Sequence, residues 1–239
     1  MTYDPPRPAG RLLLTPEDRE APARARRLRR LGLGERAEPA LDAFADRLAG
    51  RTRAPYAMVN FPGEHGQFFA GLHRPSRDVL DVDAPAPHGP PRPGAPAAGA
   101  GAHRELGRRL TRDQGFCPHV LVRGKALVLE DVRDYPRFAG NAVVDEFGIR
   151  SYLGAPLVDS AGMVLGTVCV VDVEPRPWGR EGLDTIKAAA AELSRRLRRR
   201  EAERGPDGPN GPEGPEGPNG PEGPNGPEGL GGPHGAPPG

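Results

Sequence analysis

The stretch Tyr152–Asp172, YLGAPLVDSAGMVLGTVCVVD, decides the fold of this chain. It reads as two strands, Ser151–Leu157 and Met163–Val171, joined by the tight turn DSAG. Asp159 and Gly162 supply the turn chemistry, an acid that binds nearby amides and a residue free to take positive φ. In the second strand Met163, Leu165, Thr167, Cys169 and Val171 share one face, and Val164, Gly166, Val168 and Val170 the other. Both faces are largely apolar, the mark of a central strand covered on both sides. A cysteine in that setting reads as packing: an apolar surround raises a thiol's pKa and leaves it inert.

Downstream, Gly179–Glu203 has helical periodicity. Leu183, Ile186, Ala190, Leu193 and Leu197 recur at spacings of 3 and 4, a heptad seam over two repeats. Such a helix is expected to pack on the sheet first and then on a partner subunit, giving a homodimer. Arg195, Arg196, Arg198, Arg199 and Arg200 crowd its C-terminal end, where cations complement the helix dipole. Upstream, Tyr56–Phe61 and Gln67–Leu72 flank the turn PGEHG and read as a hairpin. A helix is expected near Glu38–Ala49, with Pro39 in its first turn and Leu41, Phe44, Ala45 and Leu48 on one face. Between hairpin and strand pair come a helical stretch near Glu105–Arg112, the segment GFCPHV, a strand at Ala126–Glu130, the polar turn DVRDYPRF, and a loop or short helix through Phe147.

Composition bounds the remainder. The chain has 239 residues, of which 34 are Gly and 31 Pro, well above ordinary usage. These concentrate in APAPHGPPRPGAPAAGAG at 84–101 and in the Gly-Pro-X run from Gly205. The first is expected as a disordered insertion spanning about 73–103. The second is expected as a low-complexity tail over 205–239 with polyproline II bias rather than a collagen stalk, because acidic residues occupy the third triplet position. Residues 1–37 are expected as a flexible basic arm, with a helical tendency in RARRLRR at Arg24–Arg30, and 38–203 as the folded domain. Two cysteines and no secretory leader point to a reducing cytosol, and no apolar run approaches the length of a membrane span.

The order of elements describes an α/β (α+β) domain on an antiparallel sheet. GFCPHVLVRGKALVLEDVRDYPRFAGN and IRSYLGAPLVDSAGMVLGTVCVVDVEPRPW carry it further. With the FC start, the acidic turn ending RF and Asn, the YLGAPL strand, the GT-C strand and PR before the last helix, the chain resembles the GAF domain. It is similar in form to small stand-alone GAF proteins of actinobacteria. The resemblance covers roughly residues 40–200. It implies a GAF/PAS-like six-stranded antiparallel sheet with flanking N- and C-terminal helices, and a ligand pocket under loops on the opposite face. Family members bind cyclic nucleotides, tetrapyrroles, haem or small metabolites, and signal through dimer helices. The cyclic-nucleotide signature and a chromophore-type Cys-His pair are not evident, so no cofactor is expected.

The ligand-pocket candidates are Phe68, Cys117, His119, Asp131, Asp134, Tyr135, Phe138, Tyr152 and Cys169. Each has a structural reading beside the functional one. Asp131 and Asp134 suit amide capping, the aromatics suit core, and Cys117 at a helix start is the better placed of the two thiols for redox work. Cys117-Pro118-His119 lacks the four ligands of a structural zinc site, and no metal is expected. Three functions follow. The first is a non-enzymatic sensory or regulatory module that binds a small molecule or a signalling partner and acts in trans. The second is a thiol reductase or redox sensor using Cys117, similar to the GAF-fold free methionine sulfoxide reductases. The third is anion or nucleic-acid binding through the Arg-rich helices, which is disfavoured because solvated helix faces explain such runs.

Overall fold

A computed structural model describes residues 15–63, 66–75 and 105–204 of the chain. The Ala/Pro/Gly insertion, the Gly-Pro-X tail and the start of the basic arm lie outside the described residues. Within them the strand pair read from Tyr152–Asp172 is the middle of the sheet. β5 (Ser151–Val158) and β6 (Val164–Asp172) pair antiparallel across the DSAG turn. β6 also pairs antiparallel with β1 (Tyr56–Pro62), which forms the expected hairpin with β2 (Gln67–His73). Short strands β3 (Arg109–Leu110) and β4 (Leu127–Leu129) close the two edges, in the order β3-β2-β1-β6-β5-β4. Every residue of β6 is buried, as its two apolar faces require.

The sheet separates two apolar clusters. Behind it lie α1 (Ala21–Leu31), α2 (Pro39–Thr52) and α6 (Gly179–Arg204), packed on Val59, Phe61, Leu153, Val168 and Val170. In front lie α3 (Cys117–Arg123), a 3-10 turn at Val132–Asp134, α4 (Pro136–Ala139) and α5 (Ala142–Phe147), over Met58, Phe69, Tyr152, Cys169 and Val171. The pairing register slips near the β5–β6 turn, where Val158 faces Val164 but Leu157 faces Gly166. The extra residue is Leu165, and the bulge turns it to the back cluster, away from the face that simple alternation gives it.

Two sequence expectations change. Residues 1–37 are not wholly an arm: Ala21–Leu31 is a helix on the back of the sheet, with Ala25, Leu28 and Leu31 buried and Gly32 at φ 62 closing its end. Arg24 is buried with them at 1% exposure, donating to the Val164 carbonyl (2.6 Å) and to both oxygens of Asp18. The stretch near Glu105–Arg112 is extended rather than helical. Leu106 is buried in the front cluster, and Arg108 donates to both Asp42 oxygens (3.0 Å) and to the Phe69 carbonyl (3.0 Å), so tertiary bonds override local periodicity. The α6 seam packs on the sheet as expected: Ile186, Ala190, Leu193 and Leu197 are buried against it and Leu183 is partly buried there. A homodimer through that seam would require α6 to leave the sheet, at about 1.5–3 kcal/mol for each large side chain exposed.

The arginine runs are also engaged. Arg27 bridges Asp159 (3.1 Å) in the β5–β6 turn and Glu201 (3.0 Å) on α6. Arg200 holds Glu38 (2.9 Å), and Arg204 donates to the Arg30 carbonyl (2.9 Å). Arg27, Arg200 and Arg204 thus tie α6 to α1 and to the segment between α1 and α2. Among the described residues no helix is long and apolar enough to cross a membrane, and no three His, Cys, Asp or Glu side chains gather as a metal would need.

Candidate functional site

The front face of the sheet carries the site. Cys117 opens α3, directly above β6, and its Sγ lies 3.6 Å from the Sγ of Cys169. The Tyr152 hydroxyl donates to Cys117 Sγ at 3.6 Å. Tyr152 reaches that sulfur by lying along β5 over Gly154, where a Cβ would overlap its ring and hydroxyl. Phe116 packs edge-on against Tyr152 (5.3 Å between centroids) and Phe138 (5.8 Å), sealing the group from one side. Both thiols are free and buried.

Beside the sulfurs is an apolar cavity of about 30 Å³, walled by Met58, Phe69, Phe116, Val143, Ile149 and Val171 along with Cys117, Tyr152 and Cys169. That clears the roughly 10–15 Å³ that a buried water needs. Gln67 is the polar side chain of the cavity's lining, and it is held from behind. Asn60, buried in β1, donates from Nδ2 to Gln67 Oε1 (2.9 Å), and Gln67 Nε2 donates to the carbonyls of Thr111 and Gln114. Asn60 Oδ1 and the neighbouring Thr167 Oγ1 are buried without a hydrogen-bond partner among the described residues. An unpaired buried polar atom costs about 1–3 kcal/mol, so such a pair on one sheet face is a reason to look for what it binds.

The electrostatics of the pair are asymmetric. The hydrogen bond from Cys169 draws the Cys117 thiol down to about 6, against burial, with lesser support from Thr167, Tyr152 and Asn60. Cys169, as the donor and fully buried, is pushed well above its ordinary value. Burial first, and then the charge on Cys117, push the Tyr152 phenol up. Of the two thiols, Cys117 is thus the one drawn toward ionisation and Cys169 the one held toward its protonated form. The opening turn is fixed from outside by Asn141, the N-cap of α5. Its Oδ1 accepts from the Gly115 amide (2.9 Å) and its Nδ2 donates to the Gly115 carbonyl (3.0 Å), two residues before Cys117.

Of the residues singled out from sequence, the structure brings Cys117, Tyr152 and Cys169 together at the cavity. Phe68 is on the opposite face of the sheet, in the helix-side core, with Arg109 stacked 4.9 Å above it. Asp131 caps the 3-10 turn through the Arg133 amide (3.0 Å) and ion-pairs with Arg150. Burial pushes its carboxyl up, but the bonds from Arg150 and Arg133 outweigh that and hold it low. Asp134 and Tyr135 are exposed on the same turn. Phe138 is buried behind Phe116 in the outer layer of the wall rather than at the cavity. Asn60, Gln67 and Thr167 were missed. Asn60 and Thr167 leave a trace, as polar residues at inward positions of apolar strands.

His119 also lies outside the cavity, edge-on to Phe138 at 4.8 Å. Burial, then the charges of Arg137 and Arg123, lower its pKa from 6.5 to about 4. The unfolded chain therefore binds the proton first, and folding stability falls as pH drops from about 6.5 to about 4. Discounted for solvent at the ring edge, the loss is about 2 kcal/mol. Urea unfolding at pH 7 and pH 4.5 is expected to show that loss in the wild type and most of it absent in His119→Phe.

The family model agrees with the fold. The family model of the GAF domain matches residues 36–197. A cyclic di-GMP phosphodiesterase of Pseudomonas aeruginosa is 39% identical over 70 residues, which cover 29% of this chain and 12% of that protein. The chain thus spans about an eighth of the length of that relative. The GAF domain of an Acinetobacter phosphoenolpyruvate-protein phosphotransferase aligns over 78% of this chain and 98% of its own, at 15% identity and a TM-score of 0.46. The free methionine-R-sulfoxide reductase of Neisseria meningitidis aligns over 67% of this chain and 74% of its own, at 16% identity and a TM-score of 0.42. GAF domains are typically sensory or regulatory modules. With most of its length matched by the family model, from the loop before α2 into α6, the protein belongs to the GAF domain family.

Proposed function

We propose that this GAF domain is a non-enzymatic sensory module that takes a small, mainly apolar molecule in front of the sheet and acts in trans in signal transduction. The observations that support this reading are the apolar cavity and, on the strands beside its wall, two buried oxygens without a partner among the described residues, Asn60 Oδ1 and Thr167 Oγ1. A ligand with an apolar body and one or two N–H or O–H donors matches both parts. At about 30 Å³ the resting cavity is smaller than such a ligand, so binding must part α3 and α5 from the sheet. That displacement is the signal: the ligand favours the parted arrangement by its differential affinity for it.

Thermal unfolding with benzyl alcohol, indole and short primary amides as probes tests the reading. A probe at a hundred times its Kd stabilises by about 2.7 kcal/mol, or roughly 5–10 °C in Tm for a domain of this size. Thr167→Val keeps the shape and removes the orphan hydroxyl. It is expected to raise the unliganded stability by about 1 kcal/mol and to weaken the probe-induced shift. Flat melting curves with every probe, together with no small molecule released from the purified protein on denaturation, would sink the small-molecule reading.

A further inference from the structure

We propose that Cys117 and Cys169 are a peroxide-oxidisable dithiol that closes to a buried intramolecular disulfide and, in closing, draws α3 onto β6. The inference does not depend on the ligand reading above, because it concerns two sulfurs already in contact in the unliganded chain.

Four observations carry it. The sulfurs are 3.6 Å apart although the residues lie on different elements, so the partner thiol is in place before any reaction. The cavity beside them is the size of one small solute such as hydrogen peroxide. Both cysteines line that cavity, and Cys117 is the more exposed residue of the two, at 5% against 1%. Lastly, the surround is not the wholly apolar one that makes a core cysteine inert: the Tyr152 hydroxyl, Thr167 and Asn60 stand around the Cys117 sulfur.

The chemistry balances with peroxide as the oxidant. The Cys117 thiolate attacks one peroxide oxygen and the O–O bond breaks. The departing hydroxide takes up a proton as water, leaving Cys117 as the sulfenic acid. The Cys169 sulfur then attacks the Cys117 sulfur, the S–O bond breaks, and the hydroxyl leaves with the Cys169 proton as a second water. The two sulfurs have together given up two electrons, and one S–S bond has formed. A disulfide has its sulfurs about 2.05 Å apart, so roughly 1.5 Å of approach is required. β6 is buried and bonded on both sides, while α3 is a short helix at the front, so α3 is the part that moves. An external dithiol reverses the bond by thiol–disulfide exchange.

The test is hydrogen peroxide added to the reduced full-length chain, followed by intact mass and peptide mapping under alkylating, denaturing conditions. The expected product is a monomer lighter by two hydrogens, with the Cys117 and Cys169 peptides cross-linked. Its Tm should be about 5–10 °C higher, because the link closes a long loop, and dithiothreitol should reverse the change. Cys169→Ser should stop one oxygen heavier and be trapped by dimedone. Cys117→Ser should react at least about tenfold more slowly. If the wild type keeps both thiols alkylatable after a dose of peroxide that fully oxidises a free cysteine, the proposal is wrong. Oxygen additions without the cross-link, or a cross-link between chains, overturn it equally. The wild-type result stands even if a serine variant fails to fold.

Discussion

Arg24→Met is expected to cost about 3–5 kcal/mol of folding stability, a large part of the 5–15 kcal/mol that holds a domain of this kind together. The guanidinium is sealed at 1% exposure and is chelated by both oxygens of Asp18, itself only 13% exposed, while its Nε caps the Val164 carbonyl at the sheet's bulge. Methionine fills the same space but leaves the Asp18 carboxylate enclosed without a counter-charge and the Val164 carbonyl without a donor. Urea unfolding should show the loss. The double variant Arg24→Met/Asp18→Asn should recover at least about 2 kcal/mol of it, since the enclosed charge is the dominant penalty. A single variant that unfolds within 1 kcal/mol of the wild type would show that α1 does not belong to the folding unit.

Two glycines are expected to respond with opposite signs when given a methyl group. At Gly71 a Cβ would overlap the Leu41 carbonyl, with the carbonyl carbon 2.6 Å and the Leu41 Cβ 2.9 Å away. That contact is the backbone of α2 lying directly on β2, and no side-chain rotation relieves it. Gly71→Ala must lever α2 off the sheet, and about 3 kcal/mol or more of destabilisation is expected, the upper end for overpacking. Gly50 lies within α2, and a Cβ there meets nothing within 4 Å. Gly50→Ala is therefore expected to stabilise by about 0.5–1 kcal/mol through helix propensity alone. Denaturant midpoints of the two single variants check both. A neutral Gly71→Ala would mean that α2 is not seated where the structure puts it.

Periodicity made most of this fold legible. The alternation in β1, β2, β5 and β6, the 3-4 spacing in α2 and α6, and the Asp159–Gly162 turn are local signals, and each element forms where its residues imply. Where sequence reading failed, the deciding partner was distant in the chain. Arg24 reads as solvated charge until Asp18 and the bulge at Val164 are seen to enclose it. Glu105–Arg112 reads as a helix until Asp42 claims Arg108. The same applies at the site. Cys169 reads as packing from its valine neighbours, and nothing local shows that a sulfur 52 positions earlier touches it. Phe68 and Phe69 are adjacent and both aromatic, yet they lie on opposite faces of the sheet. The register slip between Val59 and Asn60 decides which face each takes, and no sequence pattern marks that slip.

The clamps on α1 differ in how they meet dissolved ions. Arg27, at 30% exposure, ties the helix to Asp159 and Glu201 within reach of solvent, whereas Arg24 and Asp18 are closed off. Raising ionic strength from 0.1 M to 1 M contracts the Debye length from about 10 Å to about 3 Å, which loosens the first clamp and leaves the second. In brine the tie between α1 and α6 is therefore expected to weaken by up to about 1 kcal/mol, while Leu28 and Leu31 keep the later turns on the sheet and the first turn stays riveted there.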